Sequence, residues 1–361
     1  MAYYSIFSFI ALLSLFHFQL SNAVKGGYYI PDSGVSVSEI DSTLFTHLFC
    51  AFANLDPQTN QLSVPAGCSS FSQTVKQKNP SVKAIISIGG GTDKPTQDLK
   101  TMANNPNSRK TFIESSINMA LSNNFDGLDL DWEQQSTAEE MTDLGALLTE
   151  WRAALQAKKS SLILTAAVRY TATVGGGIPF PAKAMSDSLD FVNLMAYDFY
   201  GPTWNPAPQL ARPNAALRGQ DVSGESGVDA WINAGVPANK LVLGLPFYGY
   251  AWKLVNGDDN GVLAPVSGVD TSVGDSEGSV TYKQIKQFIS QKRATVKYDS
   301  NYVTNYCYSG STWIGFDGLE TVKQKVLYAK NKASLLGYFA WNIVQDNNWA
   351  LSKQASQTWG S

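Results

Sequence analysis

Eight short apolar runs, separated by stretches with helical spacing, limit what this chain can fold into. They are GGYYI from Gly26, LFTHLFCAFANL from Leu44, VKAIISIGG from Val82, FDGLDLDWE from Phe125, LILTAAV from Leu162, FVNLMAYD from Phe191, KLVLGLPFYG from Lys240 and LLGYFAW from Leu335. Near-continuous apolar runs of this length read as parallel strands buried on both faces. Between them, Met141, Leu144, Leu147, Leu148, Trp151 and Leu155 form one helical stripe facing a sheet. Ser108, ahead of RKTFIESSINMAL, is expected to cap a helix. Residues 226–234, 319–330 and 350–359 are further helix candidates. Eight strands alternating with helices predict an α/β fold, the (β/α)8 TIM barrel. An open doubly wound sheet is the alternative, and eight strands favour closure.

One interval is irregular, since strand seven begins at Lys240 and strand eight only at Leu335. Residues 250–317 contain runs such as VTYKQIKQF and ATVKYDS, enough for a small α+β insertion after strand seven. The barrel is then expected over 24–249 and 318–361. An insertion there sits at the C-terminal rim, where such barrels carry their active sites, and would wall a groove.

Composition narrows the chemistry. The 361 residues are 44% hydrophobic and 16% charged with a net charge of -3, and no basic run offers a footprint for nucleic acid. Residues 1–23 have an uncharged apolar core with Ser21 and Ala23 at small-residue cleavage positions, the pattern of a secretory signal. Its apolar run from Ile6 to Phe16 is interrupted by His17 and Gln19, too short to span a membrane. Cleavage would remove His17 and leave His47, in an apolar run, as the one histidine and a core residue. A Ser-His-Asp hydrolase would depend on it alone, and three scattered cysteines give no metal spacing, so neither metal nor cofactor is expected. Cys50, in the same run as His47, reads as a buried thiol, and Cys68 and Cys307 are open to pairing. A secreted monomer with a neutral partner is expected, apoplast or vacuole being open.

The stretch FDGLDLDWEQQ, Phe125 to Gln135, places acids inside such a strand. Residues two apart share a strand face, so Asp129, Asp131 and Glu133 point one way and Leu128, Leu130 and Trp132 the other. In a barrel the apolar set meets the helices and the acids face the interior, Glu133 last at the mouth. Like charges so aligned must share protons, which pushes pKa values apart and keeps one carboxyl protonated as a general acid.

DGLDLDWE resembles the signature of glycoside hydrolase family 18, the chitinases. KGGYYIPDSG, FTHLFCAFANLDPQT, SIGGG, LMAYDFYGPTW, LPFYGYAW and GYFAWNIVQDN extend the likeness, in order, to plant class V chitinases. The resemblance implies a retaining mechanism in which the substrate's N-acetyl group is the nucleophile. It implies Glu133 as acid and base, Asp131 as the residue orienting the acetamido group, Asp129 as its charge partner, and Tyr197 with Asp198 on the acetyl side. By the same resemblance Trp341 floors the pocket, Met195, Tyr28 and Phe52 line it, and Ser87 lies near the acids. Trp204, Tyr248 and Trp252 are candidate groove contacts, with core packing an equal alternative. The implied partners are chitin or N-acetylglucosamine oligosaccharides.

Two departures stand out from that resemblance: Gln134 and Gln135 follow the acid where relatives commonly have an aromatic residue and proline, and Asn342 follows Trp341 where many have histidine. A chitin-binding lectin or inhibitor on the same barrel is the rival function, and specialisation for lipo-chitooligosaccharides is a third.

Overall fold

The computed structural model describes residues 23–204, 206–219 and 221–360. The expected signal segment lies outside these, apart from Ala23. Eight strands make the barrel: β1 (Val24–Tyr29), β2 (His47–Asp56), β3 (Lys83–Gly89), β4 (Gly127–Asp131), β5 (Ile163–Arg169), β6 (Phe191–Met195), β7 (Leu241–Pro246) and β8 (Gly337–Trp341). Each pairs in parallel with the next, and β1 pairs with both β2 and β8, which closes the sheet. The eight expected strands are therefore the barrel, and the open-sheet alternative is excluded.

Closure turns period-two patterning into an inside and an outside. Leu128, Leu130 and Trp132 join the outer core with Leu144, Leu147, Leu148 and Trp151, while Tyr28, Phe49, Ile85 and Phe339 fill the inner one. The stripe from Met141 lies on the helix Ala138–Ala157, whose Thr137 cap and Glu140 form a reciprocal capping box. The helix before it starts earlier than the sequence suggests. It spans Pro106–Ser122, and the Asn105 side chain accepts from the backbone N–H groups of Asn107 and Ser108, so Ser108 lies in the first turn. Proline at the first helical position lacks only an N–H that would be orphaned there, which lets the helix begin before Ser108. Asp126, the first acid of FDGLDLDWEQQ, is structural: it accepts from Ala84 N–H at 2.8 Å and pairs with Lys76 at 2.7 Å.

The cysteines pair otherwise than expected. Cys50 and Cys68 form the disulfide, with Cα atoms 6.0 Å apart, and Cys307 is a buried free thiol. The short strand Gln61–Ser63 folds back along the end of β2 and returns the turn carrying Cys68 to Cys50. Cys307 sits instead on a central strand of the inserted sheet. His47 opens β2 edge-on to Phe191, and burial, with Lys83 nearby, lowers its pKa to about 4, so it is a neutral barrel residue.

After β7 the chain forms a six-stranded second sheet, from Tyr248–Leu254 to Thr312–Phe316, with the helix Tyr282–Lys292. One face of its first strand carries Tyr248, Tyr250 and Trp252. Just beyond its last strand, Asp317 pairs with Lys325 at 2.5 Å, and Lys325 also donates to the Ala215 carbonyl at 2.5 Å. Both side chains are buried, so this pair ties the sheet's exit to the loop over its inner face. Lys325→Met should lower stability by about 3–5 kcal/mol through the uncompensated Asp317 charge, and Asp317→Leu added to it should recover most of that loss. Denaturant midpoints of the two variants test both halves.

Candidate active site

Inward residues at one level of adjacent strands meet at the centre. Ser87, Asp129 and Thr165 are register partners on β3, β4 and β5. Asp129, with no exposed surface, accepts from Tyr28 Oη at 2.8 Å and Ser87 Oγ at 2.7 Å on one oxygen, and from Thr165 Oγ1 at 2.6 Å on the other. Asn193 Nδ2 donates in turn to the Tyr28 hydroxyl at 2.9 Å. Burial still raises the Asp129 pKa, and the three hydroxyl donors oppose that rise.

One level up, Asp131 is buried and its Oδ1 has no hydrogen-bond partner among the described residues. Burial first, and the charges of Glu133 and Asp129 after it, push its pKa far above the usual carboxylate range. Glu133 lies just past β4, half-buried, its pKa raised by burial and by Asp198. Two glycines let the loop after β3 pass close to this segment. A Cβ on Gly89, at φ +118°, would lie 2.0 Å from the Asp131 carbonyl oxygen, and one on Gly91 would lie 2.5 Å from Glu133 Oε1.

Asp131 and Glu133 open onto a cavity of about 540 Å³ at the C-terminal mouth, which Tyr28, Phe52, Met195, Tyr197, Asp198 and Trp341 also line. Trp341 meets Tyr28 edge-on at 5.3 Å and lies 6.0 Å from Phe52, so three rings form one apolar wall. Asp198 faces the cavity in a left-handed conformation at φ +57°. Its Oδ1 accepts from Tyr248 at 2.6 Å and from Tyr250 at 2.9 Å. The surrounding protein raises its pKa, which the two hydroxyls oppose and Glu277 reinforces. Burial, then the carboxylates Asp131 and Asp198, hold Tyr197 firmly protonated, so its hydroxyl remains a donor.

Ser87 stands behind the acids and Tyr248 behind Asp198. Trp252 is fully buried opposite Trp313 in the inserted sheet, away from the cavity. Trp204 is 41% exposed against the edge of Tyr250 and is not among the cavity's lining residues. Sequence reasoning passed over Thr165, Asn193 and Tyr250. Thr165 and Asn193 are polar residues at inward positions of apolar strands, and Tyr250 lies two residues from Tyr248 on the same face; period-two counting reaches all three.

The sequence profile of Glycosyl hydrolases family 18 matches residues 25–346. The chain belongs to this family. It is 49% identical over 348 residues to a class V chitinase from Arabidopsis thaliana, covering 93% of this chain and 89% of the relative. The crystal structure of a class V chitinase mutant from Nicotiana tobaccum in complex with NAG4 superposes with a TM-score of 0.90 at 49% identity, over 94% of this chain and 99% of that one. A chitinase-like agglutinin, RobpsCRA from Robinia pseudoacacia, gives 0.86 at 43% identity, over 94% and 100%.

Within this family 18 barrel the residues that depart from the expected pattern have definite places. Gln134, exposed at φ +62°, donates through Nε2 to the Gly91 carbonyl at 2.6 Å. Gln135 is buried and donates to the Trp132 carbonyl at 2.7 Å. Asn342 is buried behind Trp341, with its Oδ1 unpartnered.

The Asp198 carboxylate lifts the Glu133 pKa, so Asp198→Asn should let it fall. The alkaline limb of the kcat/KM profile, where Glu133 loses its proton, should then move to lower pH by about one unit. Its position, rather than the height of the profile, is the readout, because Asp198 also lines the cavity.

Proposed function

We propose that this chain hydrolyses β-1,4 links between N-acetylglucosamine units of chitin or chitooligosaccharides, with retention and with assistance from the substrate. The observation that carries the reading is the unpartnered, buried Oδ1 of Asp131 beside a protonatable Glu133 at the cavity mouth. A buried acceptor left open is costly unless a ligand donor fills it, and an acetamido N–H is such a donor.

Protonated Glu133 gives its proton to the glycosidic oxygen as the bond from that oxygen to C1 breaks. The acetyl carbonyl oxygen of the same sugar forms the replacing bond to C1, giving an oxazolinium ion. With the pair's proton on Glu133, Asp131 is the carboxylate: it accepts the acetamido N–H and balances the positive charge, while Tyr197 donates to the acetyl oxygen and so aims it. Glu133, now a carboxylate, takes a proton from water as the water oxygen attacks C1, and the acetamide is restored. Asp129 keeps a second negative charge below Asp131. The Trp341 ring offers a flat apolar surface to the C–H face of the sugar.

The likeness to a chitinase-like agglutinin supports a second reading, sugar binding without turnover. Asp129, Asp131, Glu133 and Tyr197 are all present, which favours hydrolysis. Residues 1–23 support secretion of the protein as part of the proposal.

Glu133→Gln should cut the release of reducing ends from N-acetylglucosamine oligomers by roughly 10²–10⁴-fold while oligomer binding persists. Equal inertness of the unchanged protein and the variant, with binding intact in both, would replace the hydrolase by the agglutinin reading.

A further inference from the structure

The two glutamines after the catalytic acid are unabsorbed by the mechanism, yet both side chains are tied to the backbone around it. Gln135 Nε2 binds the carbonyl of Trp132, the residue before Glu133. Gln134 Nε2 reaches across to the carbonyl of Gly91, on the loop after β3. Gly91 in turn packs against the acid itself, since a Cβ there would stand 2.5 Å from Glu133 Oε1. Gln134 also carries the left-handed turn that takes the chain off the barrel, at φ +62°, a conformation disfavoured for a residue with a Cβ unless the surroundings enforce it.

We propose that Gln134 is a positioning residue for Glu133: its amide holds the Gly91 backbone against the carboxyl and fixes the left-handed turn that aims the acid into the cavity. The inference rests on Glu133 being the general acid. Glu133 extends from a segment already past the strand ladder, so neither of its own backbone neighbours lies in a barrel strand. What limits its side chain is the Gly91 backbone, and the Gln134 amide limits that backbone in turn. The groups facing Glu133 from other elements are Asp131 on β4, and Tyr197 and Asp198 following β6. Asp131 itself meets the glycine loop, its backbone carbonyl accepting from the Gly90 N–H at 2.8 Å, one residue short of Gly91. The Gln134 hydrogen bond is a second link, one residue further along the loop and on the far side of the acid.

Three variants separate the amide from the turn. Gln134→Leu keeps bulk but loses the donor, Gln134→Gly loses the donor while relieving the backbone, and Gln134→Glu replaces the donor by a carboxylate beside the acid. Reducing-end release from an N-acetylglucosamine hexamer gives kcat, KM and the pH profile of each. Gln134→Leu and Gln134→Gly should both lose about tenfold or more in kcat with KM within about twofold, because a small misplacement of a reacting group costs turnover before binding. Gln134→Glu should lose kcat and also move the alkaline limb to higher pH, since the added negative charge holds the Glu133 proton. Gln134→Gly guards against misfolding, because glycine adopts φ +62° freely. Wild-type kcat in both Gln134→Leu and Gln134→Gly overturns the proposal. So does loss in Gln134→Leu with full activity in Gln134→Gly, which would assign the effect to backbone strain alone. Absence of turnover in the unchanged protein overturns the hydrolase reading, and this proposal with it, whereas a fully active parent with indifferent variants overturns only this proposal.

Discussion

The hydrogen bonding of the Asp129 carboxylate is the interaction on which the site depends. An acid at the centre of a closed barrel has lost its water and must be satisfied by protein. Tyr28, Ser87 and Thr165 do so from β1, β3 and β5, and Asn193 on β6 supports Tyr28. Five of the eight strands, including β4 itself, thus have their register fixed through one polar cluster. Every donor among these three is a hydroxyl, so the cluster satisfies the oxygens without adding positive charge. Asp131 above it therefore adds to its burial a carboxyl group on either side, and both raise its proton affinity.

The inserted sheet does more than wall the cavity. Tyr248 and Tyr250 both donate to the same oxygen of Asp198, and Asp198 is the charge that most directly disfavours ionisation of Glu133. Folding of the insertion is thereby linked to the protonation of a group on the barrel. The buried Asp317–Lys325 pair closes this arrangement from the neighbouring strand, where Phe316 pairs with Gly249, and holds the loop through Ala215 over the aromatic face. Trp252 and Trp313, opposite each other under that loop, belong to the core that keeps the two tyrosines at their height.

Most of the barrel was legible because its signals are local. Continuous apolar runs mark buried parallel strands, and alternation in GLDLDWE assigns the acids to the inside before any contact is known. Cysteine pairing is not local: Cys50 meets Cys68 because a short antiparallel excursion after β2 returns the chain, and nothing in the spacing of residues 50, 68 and 307 reveals that turn. Ser108 looked like a cap by residue type, yet Asn105 with Pro106 behind it offers both an acceptor and a pre-set first turn. Trp252 could not be distinguished from a groove aromatic by type, since what buries it is a strand sixty residues further along the chain. Thr165 and Asn193 were hidden for a different reason, as single polar residues in apolar strands carry meaning only once the neighbouring acid is in register with them.

The bare oxygen of Asp131 has a consequence for which polysaccharides the barrel admits. Chains of glucose and of N-acetylglucosamine share their linkage and the apolar faces that rest on Trp341, so ring stacking hardly tells them apart. A hydroxyl at C2 is shorter than an acetamido group and would leave a buried acceptor short of its donor, a deficit of about 1–3 kcal/mol. Sites built around a missing donor reject near-isosteric competitors far better than apolar pockets do. Selection between the two great structural polysaccharides would then begin with one unfilled lone pair at binding, before the missing acetyl nucleophile stops the chemistry.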